Sequence, residues 1–223
     1  MIFNEYPDRE ALVLGLVGSI TSQLQETLNR NGRALLSVPG GSTPGPVFDL
    51  LSGISLDWSK VAIVLNDERW VPEESDRSNT RVLRARLLRD KAAAATLLPL
   101  YAPTDVPEEA VEQLSAQIAP HLPISVLLLG MGEDMHTASL FAGGDRLAAA
   151  LAPDAPILMP MRAEAAGEPR MTLTAQVLAG ATHIHLLITG AAKRAALERA
   201  MGLDVLEAPV KAILGEATVH WAE

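Results

Sequence analysis

The chain of 223 residues has no cysteine. That absence excludes a disulfide framework, a thiolate nucleophile and a cysteine-ligated metal site, and it suits a reducing cytoplasm. Cations are also scarce, with 18 Lys and Arg against 27 Asp and Glu, a formal net charge of −9. Such a balance opposes non-specific binding to nucleic acid or to anionic lipid, so a small acidic substrate would need cations gathered locally. Long apolar runs are missing too, and none could span a bilayer. The run Ala11-Leu-Val-Leu-Gly-Leu-Val17 is preceded by Glu5, Asp8 and Glu10, where a secretion signal carries positive charge. It continues instead through Ile20, Leu24 and Leu28 at helical spacing and stops at Asn31-Gly32, the pattern of an amphipathic helix closed by a left-handed cap.

What the chain does have is a recurring unit of apolar strand, polar or glycine turn, and helix. Arg33-Ala-Leu-Leu-Ser-Val38 leads into Gly40-Gly-Ser-Thr-Pro44 and a helix through Val47 and Leu51. Val61–Leu65 ends in Asn66-Asp-Glu-Arg69, Ile124–Leu129 ends in Gly130-Met-Gly-Glu-Asp-Met-His136, and Ile184–Ile188 ends in Thr189-Gly190. Alternation of this kind predicts an α/β fold in one domain over residues 1–223. Its sheet should be open, mostly parallel and Rossmann-like, with helices on both faces and a ligand crevice outside the strands' carboxyl ends. Ala217-Thr-Val-His-Trp221 reads as a last strand at an edge, and the alanine run from Ala92 as the end of the helix begun near Arg81. Glu108 to Ile118 has helical character.

The polar clusters supply the candidate chemistry. Gly40-Gly-Ser-Thr-Pro44 lacks the lysine and spacing of a P-loop and the dinucleotide fingerprint. Backbone N–H groups at Gly40 and Gly41, hydroxyls of Ser42 and Thr43 and a helix N-terminus could cradle a phosphate; a plain helix cap explains the motif equally well. Asp67-Glu68-Arg69 is either a solvated charge run or a crevice group in which Asp67 meets sugar hydroxyls and Arg69 an anion. Ser78-Asn79 precedes a Leu- and Arg-rich helix, for which capping is a sufficient role.

His136 has an acid two residues before it, Asp134, which could fix the imidazole tautomer and stabilise its protonated form as a general base requires. Thr137 and Ser139 read as caps of a helix starting there. No second histidine lies at zinc spacing, and neither Ser42 nor Ser139 sits in a nucleophile elbow, so attack by water is preferred over metal or serine chemistry. His183 and His185 alternate with apolar neighbours and read as structural, while His121 and His220 have no cluster around them. Arg170 and Lys193 each stand near a helix start, where the dipole does not favour a cation; a bound anion would explain both.

Taken together, Gly40-Gly-Ser-Thr-Pro44, Asp67-Glu-Arg69, Ser78-Asn79, the stretch from Gly130 to Phe141, Arg170-Met-Thr-Leu-Thr174 and Gly190-Ala-Ala-Lys193 resemble the 6-phosphogluconolactonase family over nearly the whole chain. The resemblance implies hydrolysis of 6-phospho-D-glucono-1,5-lactone in the oxidative pentose phosphate pathway, without metal or organic cofactor. It implies a cytoplasmic monomer or small homo-oligomer whose partner is the phosphorylated sugar lactone, with no nucleic acid and no membrane. It assigns Gly40 to Thr43, Arg170 and Lys193 to the phosphate, His136 to the base with Asp134 as its partner, and Asp67 and Arg69 to the lactone end. The departure is Met135, where the family usually has a glycine of the kind that supplies positive φ or close backbone approach. Glucosamine-6-phosphate deaminase is similar in fold, phosphate loop and acid-to-histidine turn, but typically reads Asp-Glu-Tyr at the position of Asp67-Glu-Arg69. A sugar-phosphate sensor without turnover is the third reading, against which the Asp134/His136 pair argues.

Overall fold

The computed structural model describes residues 1–223. Helix α1 (Arg9–Asn31) shows local sequence setting an element's limits. It opens where the Asp8 carboxylate accepts the Ala11 N–H and closes at Gly32, φ 71°, whose N–H returns to the Leu28 carbonyl. Leu12, Leu16, Ile20, Leu24 and Leu28 form its buried stripe. Each such side chain contributes about 1.5–3 kcal/mol of transfer free energy as an upper estimate. No helix is long and apolar enough to cross a membrane.

Ten strands follow one another as β1 (Ile2–Glu5), β2 (Ala34–Val38), β3 (Val61–Leu65), β4 (Asp67–Arg69) and β5 (Thr96–Leu98), then β6 (Val126–Gly130), β7 (Leu158–Met161), β8 (Arg170–Leu173), β9 (His183–Thr189) and β10 (Ala217–Ala222). The remaining helices are α2 (Gly45–Ser52), α3 (Asn79–Arg86), α4 (Val111–Ile118), α5 (Leu147–Ala150), α6 (Ala175–Ala179), α7 (Ala191–Met201) and α8 (Lys211–Leu214). Seven strands make one parallel sheet in the order β1-β10-β9-β6-β2-β3-β5. Strands buried on both sides explain the unbroken apolar runs Val61–Leu65 and Val126–Leu129.

The strand order fixes the helix layers and the crevice. From β2 the chain moves through α2 to β3 on one side, whereas from β9 it moves through α7 and α8 to β10 on the other. Right-handed crossovers in opposite directions place those helices on opposite faces. α1 packs against α2 and so shares its face. The order reverses between β2 and β6, and a crevice opens outside their carboxyl ends, as in other doubly wound sheets. Asn66, fully buried, pins that point. Its N–H bonds Val38, its side-chain carbonyl accepts the Ser37 hydroxyl at 2.7 Å, and its amide donates to Leu128 at 2.8 Å, so β2, β3 and β6 are tied at one level.

Several local expectations change in three dimensions. Asp67-Glu-Arg69 is not a loose strand end but strand β4 of a second, antiparallel sheet in the order β4-β8-β7. β10 lies inside the large sheet because β1, unrecognised in sequence, takes the edge. The alanine run does not end α3, which stops at Arg86; Asp90 has φ 48°, a left-handed break, and Asp90–Ala94 form a separate 3₁₀ turn before β5. No helix starts at Thr137 or Ser139, because Met135 (φ 65°) and Ala138 (φ 49°) both leave the right-handed region. Arg170 opens a strand rather than a helix, while Lys193 does stand in the first turn of α7.

Candidate active site

The crevice at the reversal point holds a cavity of about 330 Å³. Its wall is assembled from the ends of β2, β6 and β9, from β4 and β8 of the small sheet, and from the first residues of α3 and α7. Of the residues singled out in sequence, Gly40, Gly41, Thr43, Asp67, Arg69, His136, Arg170 and Lys193 all line it. Ser42 is exposed and outside that wall, and its carbonyl accepts the Gly45 N–H; Asp134 reaches the site through His136.

The turn after β6 is built tightly around the histidine. Met135 N–H bonds Gly132 carbonyl, and Gly132 N–H bonds His136 carbonyl, closing residues 132–136 on themselves. Asp134 Oδ1 lies 2.5 Å from His136 Nδ1. A Cβ on Gly132 would come within 2.1 Å of Asp134 Oδ1 and 2.2 Å of His136 Nδ1, so only glycine lets the pair meet there. The hydrogen bond from His136 holds the Asp134 carboxyl below the usual carboxylate range, so at neutral pH Asp134 is ionised. An ionised carboxylate only accepts, so Nδ1 donates to it, and in the neutral tautomer the lone pair is on Nε2. Phe141, 4.5 Å away between ring centroids, packs against the imidazole. Met135 has the positive φ for which a glycine is usually chosen, so the turn keeps its shape with a strained side chain.

The cavity lining is also cationic. Arg69 and Arg170 are direct partners across the β4–β8 ladder. Arg170, 7% exposed, has Asp67 at 3.5 Å and donates to the Ala166 carbonyl. Burial pushes its guanidinium below the usual arginine range, with Asp67 opposing that shift. Arg69 donates to the Arg77 carbonyl at 2.5 Å, and the Nε atoms of both arginines are sealed without a protein partner. Lys193 Nζ meets the Met131 carbonyl at 2.6 Å. Three side-chain cations thus share the wall with one carboxylate, Asp67, in a chain of net charge −9. An excess of positive charge lining the cavity suits an anionic ligand.

Sequence reasoning passed over the residues that hold this wall in place. Ser139, expected to cap a helix, donates its hydroxyl to Asp67 at 2.5 Å and its N–H to Thr172 at 3.2 Å, joining the histidine turn to the small sheet. Glu68, between the two predicted site residues, points the other way and is fully buried against the start of α3. The signal for it was period-2 alternation in Asp67-Glu-Arg69, which sends residues 67 and 69 to one face of a strand and 68 to the other.

The family profile described as glucosamine-6-phosphate isomerases/6-phosphogluconolactonase matches residues 7–221. A 6-phosphogluconolactonase of Rhizobium meliloti (strain 1021) is 42% identical over 224 residues, covering 97% of this chain and 97% of its own. A 6-phosphogluconolactonase of Pseudomonas aeruginosa is 41% identical over 93% of this chain and 89% of its own. The crystal structure of a 6-phosphogluconolactonase from Shewanella baltica OS155 superposes with a TM-score of 0.96 at 33% identity, covering all of this chain and 98% of that one. With a matching profile across almost every residue and relatives this similar over nearly their full lengths, the chain belongs to the glucosamine-6-phosphate isomerase/6-phosphogluconolactonase family.

Proposed function

We propose that the chain, as one catalytic domain over residues 1–223, hydrolyses 6-phospho-D-glucono-1,5-lactone to 6-phospho-D-gluconate in the oxidative pentose phosphate pathway. The observation that carries the reading is the Asp134–His136 pair at a cavity that Arg69, Arg170 and Lys193 also line. His136 Nε2 takes a proton from water as the water oxygen bonds to the lactone carbon. The ring C–O bond of the tetrahedral intermediate then breaks, and the imidazolium returns that proton to the departing ring oxygen. Asp134 stabilises the imidazolium between the two steps. No metal or organic cofactor enters the scheme.

Arg170, Lys193 and the loop Gly40–Thr43 hold the phosphate, and Asp67 and Arg69 face the ring. The ladder pairing of Arg69 with Arg170 supports a reading in which the two ends of the substrate meet neighbouring guanidiniums, with Arg69 or the turn amides receiving the oxyanion that grows on the lactone carbonyl. Anchoring the remote phosphate converts binding energy into position at the reacting carbon. The same reading describes a cytoplasmic monomer or small homo-oligomer with no nucleic-acid or membrane partner.

Incubation with freshly generated 6-phosphogluconolactone, and separately with glucosamine 6-phosphate, tests it. Acid release from the lactone above its spontaneous rate is the expected result. Ammonia release from the amino sugar would make the chain a deaminase, and binding without either product would make it a sensor.

A further inference from the structure

The scheme above gives no task to two polar residues of the cavity wall, Thr189 and Asn79, and Asn79 is the one held rigidly by its surroundings. It is the first residue of α3 and is buried. Its backbone N–H donates to Glu68 Oε1 at 2.8 Å, and Glu68, fully buried with no cation beside it, also accepts from Arg69 N–H at 2.8 Å, Thr80 N–H at 2.7 Å, the Thr80 hydroxyl at 2.7 Å and the Ser78 hydroxyl at 3.2 Å. This carboxylate welds the start of α3 to β4, so Asn79 sits on a rigid base beside Asp67 and Arg69. Its amide is then fixed in orientation. Nδ2 donates to the Asp67 main-chain carbonyl at 3.0 Å, and because a carbonyl only accepts, the other amide atom must be the oxygen.

That oxygen leans across to the loop after β2, where a Cβ on Gly40 would stand 2.1 Å from it. The glycine leaves room for the amide as well as for a ligand. No protein donor reaches Oδ1, and it is not among the sealed polar atoms lacking a partner, so it opens on the cavity. A lone, preorganised acceptor repels phosphate oxygens and carbonyls and suits a hydroxyl. We propose that Asn79 is a specificity-determining residue, held by Glu68, whose Oδ1 accepts a hydrogen bond from one hydroxyl of the sugar-lactone ring. This rests on the sugar-phosphate lactone reading and adds to it a reader for the polyol part of the substrate.

The test compares the parent 6-phospholactone with its 2-deoxy, 3-deoxy and 4-deoxy analogues, each on wild type and on Asn79→Ala. On wild type, one deoxy analogue should lose about 10- to 100-fold in kcat/KM, the cost of leaving a built acceptor unpaired. On Asn79→Ala the parent should fall by a similar factor while that analogue falls no further, so the discrimination vanishes. Asn79→Ser, whose shorter hydroxyl cannot take the place of Oδ1, replaces the alanine variant if that one does not fold and should show the same loss. Wild type that hydrolyses all three analogues as well as the parent, or a variant that keeps the full discrimination, would overturn the proposal. Parent turnover by wild type reports separately on the lactonase reading, so intact turnover with unchanged discrimination would sink the role of Asn79 alone.

Discussion

Acidification from pH 7 to 5.5 should weaken the fold through two buried histidines far from the cavity. Tyr6 hydroxyl lies 2.8 Å from His220 Nδ1, His220 Nε2 lies 3.0 Å from His185 Nδ1, and His185 Nε2 lies 2.7 Å from Gln23 Oε1. The amide oxygen can only accept, so each proton is placed in turn. His185 donates to Gln23 and accepts from His220, which in turn accepts from Tyr6. With both rings neutral, every link of the chain has one donor and one acceptor. Burial accordingly drives His185 down to about 3, with the neighbouring His220 adding to the shift, and burial drives His220 down to about 4, against an ordinary 6.5.

Both folded values are depressed, so this stability is fully present above pH 6.5 and is lost as the unfolded chain takes up protons that the folded chain refuses. By pH 5.5 the loss is about 1.3 kcal/mol per histidine, roughly 2.5 kcal/mol together. Carboxylates held below their usual range, Asp134 among them, act only at lower pH. Urea titrations followed by far-UV circular dichroism at pH 7, 6 and 5.5 would measure this. The difference should be largely absent from a His185→Gln/His220→Gln variant. Wild-type stability that stays flat over this range, or a double variant that loses as much as wild type, would refute the assignment.

Other perturbations bear on the site. Lys193→Ala should lower kcat/KM for the phosphorylated lactone by about 10- to 100-fold and barely change the slow turnover of unphosphorylated gluconolactone, as loss of a charge-assisted phosphate bond requires; equal losses on both substrates would remove Lys193 from the phosphate. Met135→Gly should raise stability by up to about 1 kcal/mol, because a methionine at φ 65° bears a steric cost that glycine does not; the gain would be read as a higher urea midpoint with turnover kept. Prolonged EDTA treatment should leave activity intact, and activity that vanished and returned with Zn²⁺ would contradict the metal-free scheme.

How much of this was legible in sequence depended on range. The end of α1 was readable because the four-residue apolar spacing and Gly32 act within one helix, whereas its start at the Asp8 cap was not read. The buried parallel strands were readable as apolar runs, and because polar clusters follow them, so was the side of the sheet on which the site lies. The small sheet was not: β4 is three residues of charge, and it is a strand only because β8, about a hundred residues later, pairs with it. His220 looked isolated for the same reason, since its partners are 35 and 214 residues away. Thr137 and Ser139 carried the local signature of a cap, but two positive φ values broke the helix, and Ser139 serves Asp67 instead. Reading Asp134 with His136 succeeded because a two-residue spacing needs only one turn to bring them together.

The central claim is that His136, poised by Asp134, activates water. The most direct test is single-enzyme turnover of 6-phosphogluconolactone by His136→Ala, corrected for the lactone's spontaneous hydrolysis and paired with calorimetric binding of 6-phosphogluconate. Turnover should fall by about 10²- to 10⁴-fold, the range of a lost general base, with product affinity nearly unchanged because the phosphate grip lies on other elements. Near wild-type turnover in a folded His136→Ala protein would contradict the account.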